Sequence, residues 1–151
     1  MIIRRAAESE EASLSQLAWD SKAHWGYAAA MLDAWREQLA VTAARIREHP
    51  TFVAELGGIV AGFYSLHPGE GAWELDNLWV LPAFMHRGVG RALLAHALET
   101  AAQGGAREVT VDSDPHAEAF YLQCGARRRG AVAAPIAGEP HRMRPQLAFE
   151  A

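Results

Sequence analysis

At 151 residues, half of them hydrophobic, the chain can bury one sizeable core and is too short for two, so a single domain over residues 1–151 is expected. Its 14 Lys and Arg against 18 Asp and Glu give a formal net charge of -4 with the signs interspersed, which excludes a basic surface built to wrap nucleic acid or coat a membrane. No apolar run approaches the roughly 20 residues of a spanning helix, and Met1-Ile2-Ile3 is interrupted at once by Arg4-Arg5, so no membrane segment or signal peptide is expected and the chain reads as cytoplasmic.

In chain order, Met1 to Ala6 reads as a strand. Leu14, Leu17, Ala18 and Ser21 recur at helical spacing, as do Ala28, Leu32, Trp35 and Leu39, which predicts two amphipathic helices separated near His24 to Gly26. Thr51 to Leu56 and Ile59 to Ser65 flank Gly57-Gly58 as a hairpin. Trp73 to Val80 supplies the next strand. There Leu75, Leu78 and Val80 share a face only if a bulge near Asp76 and Asn77 absorbs one residue. A helix over Gly88 to Ala102, a strand over Glu108 to Asp112 and a helix over Ala117 to Cys124 follow. Strands near Arg127 to Ala133 and Arg142 to Phe149, joined by a loop over Ala134 to Pro140, complete a mixed α/β sheet.

The junction Leu81-Pro82-Ala83-Phe84-Met85-His86-Arg87-Gly88-Val89-Gly90-Arg91-Ala92 has a definite chemistry. Its glycines let the backbone approach a ligand, and first-turn amides have no partner within their own helix, so the turn offers an anion site suited to a diphosphate. Leu93 stands where a dinucleotide fold has its third glycine, and the Gly-Lys-Ser/Thr ending of a Walker loop is absent. The one cysteine, Cys124, rules out an internal disulfide and reads as a buried spectator. The seven histidines lack ligand spacing, and no metal is expected.

Met85 to Gly90 resembles the Gln/Arg-x-x-Gly-x-Gly/Ala cofactor motif of the GNAT acetyltransferase superfamily, with Met85 in place of Gln or Arg. Asp114-Pro115-His116-Ala117-Glu118-Ala119-Phe120-Tyr121-Leu122-Gln123-Cys124-Gly125-Ala126 resembles that superfamily's Asn-x-x-Ala-x-x-Phe-Tyr-x-x-x-Gly-Phe segment, with Asp114 for Asn and Ala126 for Phe. The resemblance spans roughly residues 51 to 130. It implies a mostly antiparallel sheet flanked by helices, with a splayed central strand pair. It also implies acetyl-CoA as co-substrate, with the pyrophosphate on His86, Arg87, Gly88, Val89, Gly90, Arg91 and Ala92, the acetyl and pantetheine groups along Leu78, Trp79 and Val80, and further contacts from Asp114, Phe120 and Tyr121. Homodimers are common in the family, though no feature of this sequence specifies one.

Acetyl transfer to an amine needs a neutral nucleophile, a stabilised thioester carbonyl and a proton for the departing thiolate. Tyr121 matches the family's general acid. Glu74 stands where one branch of the superfamily carries its base, with Asp76 and Glu70 as competitors. Trp25, Tyr27, Trp73 and Asp76 are the candidates for holding the acceptor, a small-molecule or peptide amine. The reading is therefore an N-acetyltransferase working by direct attack on the thioester. A non-catalytic acyl-CoA-binding sensor or partner domain is the alternative.

Overall fold

The computed structural model describes residues 1–151. Seven strands form one sheet in the order β1-β2-β3-β4-β5-β7-β6, where β1 is Ile2–Arg5, β2 Thr51–Leu56, β3 Ile59–His67, β4 Ala72–Val80, β5 Glu108–Asp112, β6 Arg127–Ala133 and β7 Met143–Glu150. Every pairing is antiparallel except that of β4 with β5. The chain crosses from β4 to β5 through the longest helix, α5 (Val89–Gln103), as a parallel pair requires.

The sheet buries both faces. Against one lies α5, whose Val89, Leu93, Leu94, Ala97 and Ala101 recur at helical spacing and join Tyr64, Leu66, Leu75, Val109 and Leu147 in the larger core. Gly62 permits this contact, because a Cβ there would stand 2.7 Å from the Trp79 carbonyl oxygen and 3.0 Å from Leu93 Cδ1. On the other face α1 (Glu11–Ala23) buries Leu14, Leu17, Ala18 and Ser21, the positions its periodicity marks, the first three of them beside Val53 and Phe63.

Three helical details differ from the sequence expectation. The helix expected over Ala28 to Leu39 is broken into α2 (Ala29–Ala34) and α3 (Arg36–Leu39) at Trp35, whose backbone sits at φ -91 and ψ 0. That break accompanies an edge-on contact between the Trp35 and Tyr27 rings, with centroids 4.9 Å apart. A further helix, α4 (Ala43–Glu48), is short enough to escape periodicity; Thr42 caps it by accepting from the Arg45 amide at 3.2 Å, and Ile46 anchors it in the core. Finally, α6 (Glu118–Gln123) begins only after a 3-10 turn, Pro115–Ala117, because Asp114 caps that turn by accepting from the His116 amide at 2.9 Å.

Candidate active site

β4 and β5 pair only from Ala72–Glu74 to Glu108–Thr110, and beyond that the two strands part. The cause is visible in the register of β4 on β3. Ser65 pairs with Asn77 and Leu66 with Leu75, so Asp76 is the extra residue of a bulge. The bulge lets Leu75, Leu78 and Val80 all pack toward the core under α5. Trp79 turns to the other face. Its indole N–H donates to Asn77 Oδ1 at 2.9 Å, Asn77 donates to Ser65 Oγ at 2.8 Å, and Ser65 in turn donates to Asp76 Oδ1 at 2.5 Å. Arg45 from α4 covers the second Asp76 oxygen at 2.5 Å.

Between the parted strands lies a cleft of about 410 Å3. Leu75 to Trp79 line one wall and Val111 to Asp114 the other, with Tyr121 of α6 and Arg142 and Arg144 near β7 completing it. Beside the lining residues Trp79 and Tyr121, their neighbours Val80 and Phe120 meet the start of α5. A Cβ on Gly90 would lie 3.4 Å from Phe120 and 3.6 Å from Val80, so the glycine lets the first turn of α5 seat closely on both. The amides of His86, Arg87, Gly88, Val89, Gly90 and Arg91 find no acceptor in the protein, whereas Ala92 already donates to the Gly88 carbonyl at 3.0 Å. His86 (φ 62) and Gly88 (φ 82) both adopt left-handed backbone, and a Cβ on Gly88 would face open space. A helix end with such a run of free donors and no side-chain cap suits an anion with several oxygens.

Tyr121 is 6% exposed, and its ring sits edge-on to Phe120 at 5.3 Å and to Phe149 at 6.3 Å. Its hydroxyl makes no hydrogen bond within the protein although the residue lines the cleft. Burial pushes the phenol above its ordinary value, with Cys124 and Asp114 adding to the shift, so it keeps its proton at neutral pH.

Asp114 is the hub of a second cluster. Its carboxylate accepts from the Lys22 ammonium, from the Tyr27 hydroxyl at 2.8 Å and from the His116 amide, and Arg142 approaches the same oxygen as Lys22 at 3.8 Å. Burial alone would raise the Asp114 carboxyl, but Lys22 and His116 together outweigh it and hold the group well below the usual carboxylate range. For Lys22 burial wins: it draws the ammonium below its ordinary value despite Asp114, and Arg142 and Arg144 push in the same direction. Lys22 lies over Trp35 at 4.5 Å and over Tyr27 at 4.9 Å, and Arg142 over the same rings at 5.6 and 5.5 Å.

The structure thus brings Leu78, Trp79, Asp76, Asp114 and Tyr121 to the cleft, and sets Val80 and Phe120 against the free-amide turn. Tyr27 stands behind the lining through Asp114, and Trp25 stacks on His116 at 5.0 Å outside it. Two candidates fall elsewhere. Glu74 is exposed on the still-paired part of β4, opposite His67 and Thr110, and does not line the cleft. Trp73 packs on Gly104 at the end of α5, close enough that a Cβ on that glycine would lie 2.3 Å from the ring. Sequence reasoning missed Arg142 and Arg144: they belong to no motif, and only tertiary structure brings Arg142 to the Tyr27 hydroxyl and Arg144 to the Asp112 carbonyl.

The sheet thus parts at a bulge, and a turn of free amides opens the helix that follows. The Acetyltransferase (GNAT) family profile matches residues 11–126, and the chain belongs to that family. Among solved structures, it superposes on a GCN5-related N-acetyltransferase from Rhodopseudomonas palustris with a TM-score of 0.81 and 24% identity over 99% of this chain and 95% of that one. An IAA acetyltransferase from Bacillus cereus gives 0.73 and 26% identity, with 99% of each chain covered. The PaiA N-acetyltransferase of Thermoplasma acidophilum, in complex with coenzyme A, gives 0.75 and 17% over 99% and 98%. No curated protein sequence matches the chain. No helix is long and apolar enough to cross a membrane, and no three His, Cys, Asp or Glu side chains gather as a metal site.

Proposed function

We propose that this acetyltransferase moves the acetyl group of acetyl-CoA to a primary amine by direct attack in the cleft between β4 and β5. The observation that carries the reading is the run of unpartnered amides from His86 to Arg91, packed through Gly90 against Phe120, whose neighbour Tyr121 lines that cleft. Acetyl-CoA supplies an activated thioester. The free amides bind its diphosphate. The edge of β4 beyond Glu74, released from β5, offers main-chain groups along Leu78 and Trp79 to the pantetheine and the thioester carbonyl.

Tyr121 then donates its proton to the departing thiolate. Its hydroxyl has no competing partner, and its raised pKa keeps it loaded. Glu74 lies outside the cleft and takes no part in this scheme. Asp76 lines the cleft, but Ser65 and Arg45 occupy its two oxygens, so solvent in the open cleft takes the amine's proton.

Isothermal titration with acetyl-CoA, CoA and ATP tests the cofactor. Acetyl-CoA and CoA should bind and ATP should not compete; a folded protein that binds neither CoA species sinks the reading.

A further inference from the structure

The acceptor side of the cleft has an unbalanced charge. Lys22 and Arg142, with side chains 12% and 7% exposed, share the single carboxylate of Asp114, itself 9% exposed. Half-buried Arg144 also lines the cleft, and its guanidinium donates only to the Asp112 carbonyl. The other acids of the wall do not restore the balance. Asp76 is paired with Arg45, and Asp112 is exposed and accepts from Gln146 at 3.3 Å. Cation–π contact with Tyr27 and Trp35 offsets only part of the cost of withdrawing an ion from water. With Arg144 set against the Asp112 charge, the buried trio remains, two cations to one carboxylate, and one positive charge is left for something outside the chain to neutralise.

The donors to do so are available. Lys22 gives one of its N–H bonds to Asp114 and keeps the others, and Arg142 is held in place by the Ala134 carbonyl at 3.0 Å and the Tyr27 hydroxyl at 3.1 Å with its Nε–H uncommitted. A fixed guanidinium beside an ammonium suits a compact monoanion.

We propose that the acceptor is a primary amine that also bears a carboxylate, held in the cleft by Lys22, Arg142 and Arg144. This rests on the acetyltransferase reading above. A single carboxylate cancels the surplus of the buried pair, leaving the amine free to face the thioester. A neutral or polycationic amine would instead add to the positive charge or leave it standing.

The test compares CoA release from acetyl-CoA with free amino acids, their carboxamides, simple polyamines and amines carrying a phosphate monoester. Carboxylate-bearing amines should exceed their carboxamides in kcat/KM by roughly tenfold or more, the discrimination expected when a site's charged donors lose their partner. Arg142→Gln should collapse that ratio by raising KM for the carboxylate acceptor while acetyl-CoA affinity, read by titration, stays unchanged. Arg144→Gln gives a second, more exposed variant with the same direction of effect. The proposal is overturned if carboxamides, polyamines or phosphorylated amines are preferred, if no carboxylate-bearing amine stimulates CoA release, or if both variants keep the wild-type ratio. Failure of the folded wild-type protein to bind acetyl-CoA would instead overturn the reading of the cofactor, whereas loss of that binding in both variants alone would overturn the acceptor proposal, so the two failures are distinct.

Discussion

Tyr121 is a side chain whose removal separates chemistry from folding. Its hydroxyl has no partner in the protein, so Tyr121→Phe keeps the buried ring and should leave the melting temperature within about 1 °C, since no net hydrogen bond is lost. Turnover should nevertheless fall about 10²–10³-fold in kcat, with acetyl-CoA affinity retained, because general acids contribute on that order. Asp114 behaves in the opposite way. Asp114→Asn leaves Lys22 and Arg142 buried without a counter-charge and should cost about 3–5 kcal/mol in denaturant unfolding. The sign of its pH dependence follows from the depressed carboxyl. The unfolded chain takes up the proton first, so Asp114 stabilises the fold above about pH 4, and that contribution is lost as pH falls further toward the folded-state value. Acid unfolding monitored by circular dichroism should therefore be shallower for Asp114→Asn than for the parent. Only the location of Asp114 was legible beforehand. Its place in the second motif pointed to the cofactor, whereas its carboxylate is taken up by its neighbour His116 and, from far up the chain, by Lys22 and Tyr27.

The strands and α5 were legible because their signals are local. β2, β5 and β6 have the bounds the sequence marks, set by β-favouring runs between glycines and charges, and the apolar spacing of α5 reads directly as its buried face. Helices α2 and α3 were read as one, because the break at Trp35 accompanies a ring contact with Tyr27 that apolar spacing does not encode, and α4 was missed because six residues span too few turns for periodicity to show. Gly88 at the start of α5 and Gly62 beneath it on β3 give contrasting predictions. Gly88→Ala places a Cβ in open space on left-handed backbone, so its cost is conformational only, about 1 kcal/mol, read as a fall of about 2–4 °C in Tm. Gly62→Ala instead drives a methyl into the Trp79 carbonyl and Leu93. It should cost about 1–3 kcal/mol or more and also impair turnover, because the backbone it displaces borders the cleft.

The two cores on opposite faces of the sheet are joined across β4, and only Ala72 to Glu74 tie that strand to β5. A ligand that fills the gap beyond those residues binds the folded chain alone. Acetyl-CoA at a hundredfold excess over its Kd should therefore add about 2.7 kcal/mol, visible as a concentration-dependent rise in Tm. The same place shows why the bulge was readable and the location of Glu74 was not. Leu75, Leu78 and Val80 betrayed one surplus residue by their spacing, while nothing in the sequence marks where β5 stops accompanying β4. Strand side chains alternate, so the surplus residue acts as a change of parity. Excising Asp76 would do more than lose one carboxylate: Leu75, Leu78 and Val80 would fall into strict alternation on the face they already occupy, with Trp79 still on the other, and the irregularity that parts β4 from β5 would be gone. A single codon's deletion there would straighten the strand and let its freed edge zip onto β5, so the opening of the cleft is spelled by one triplet of the gene.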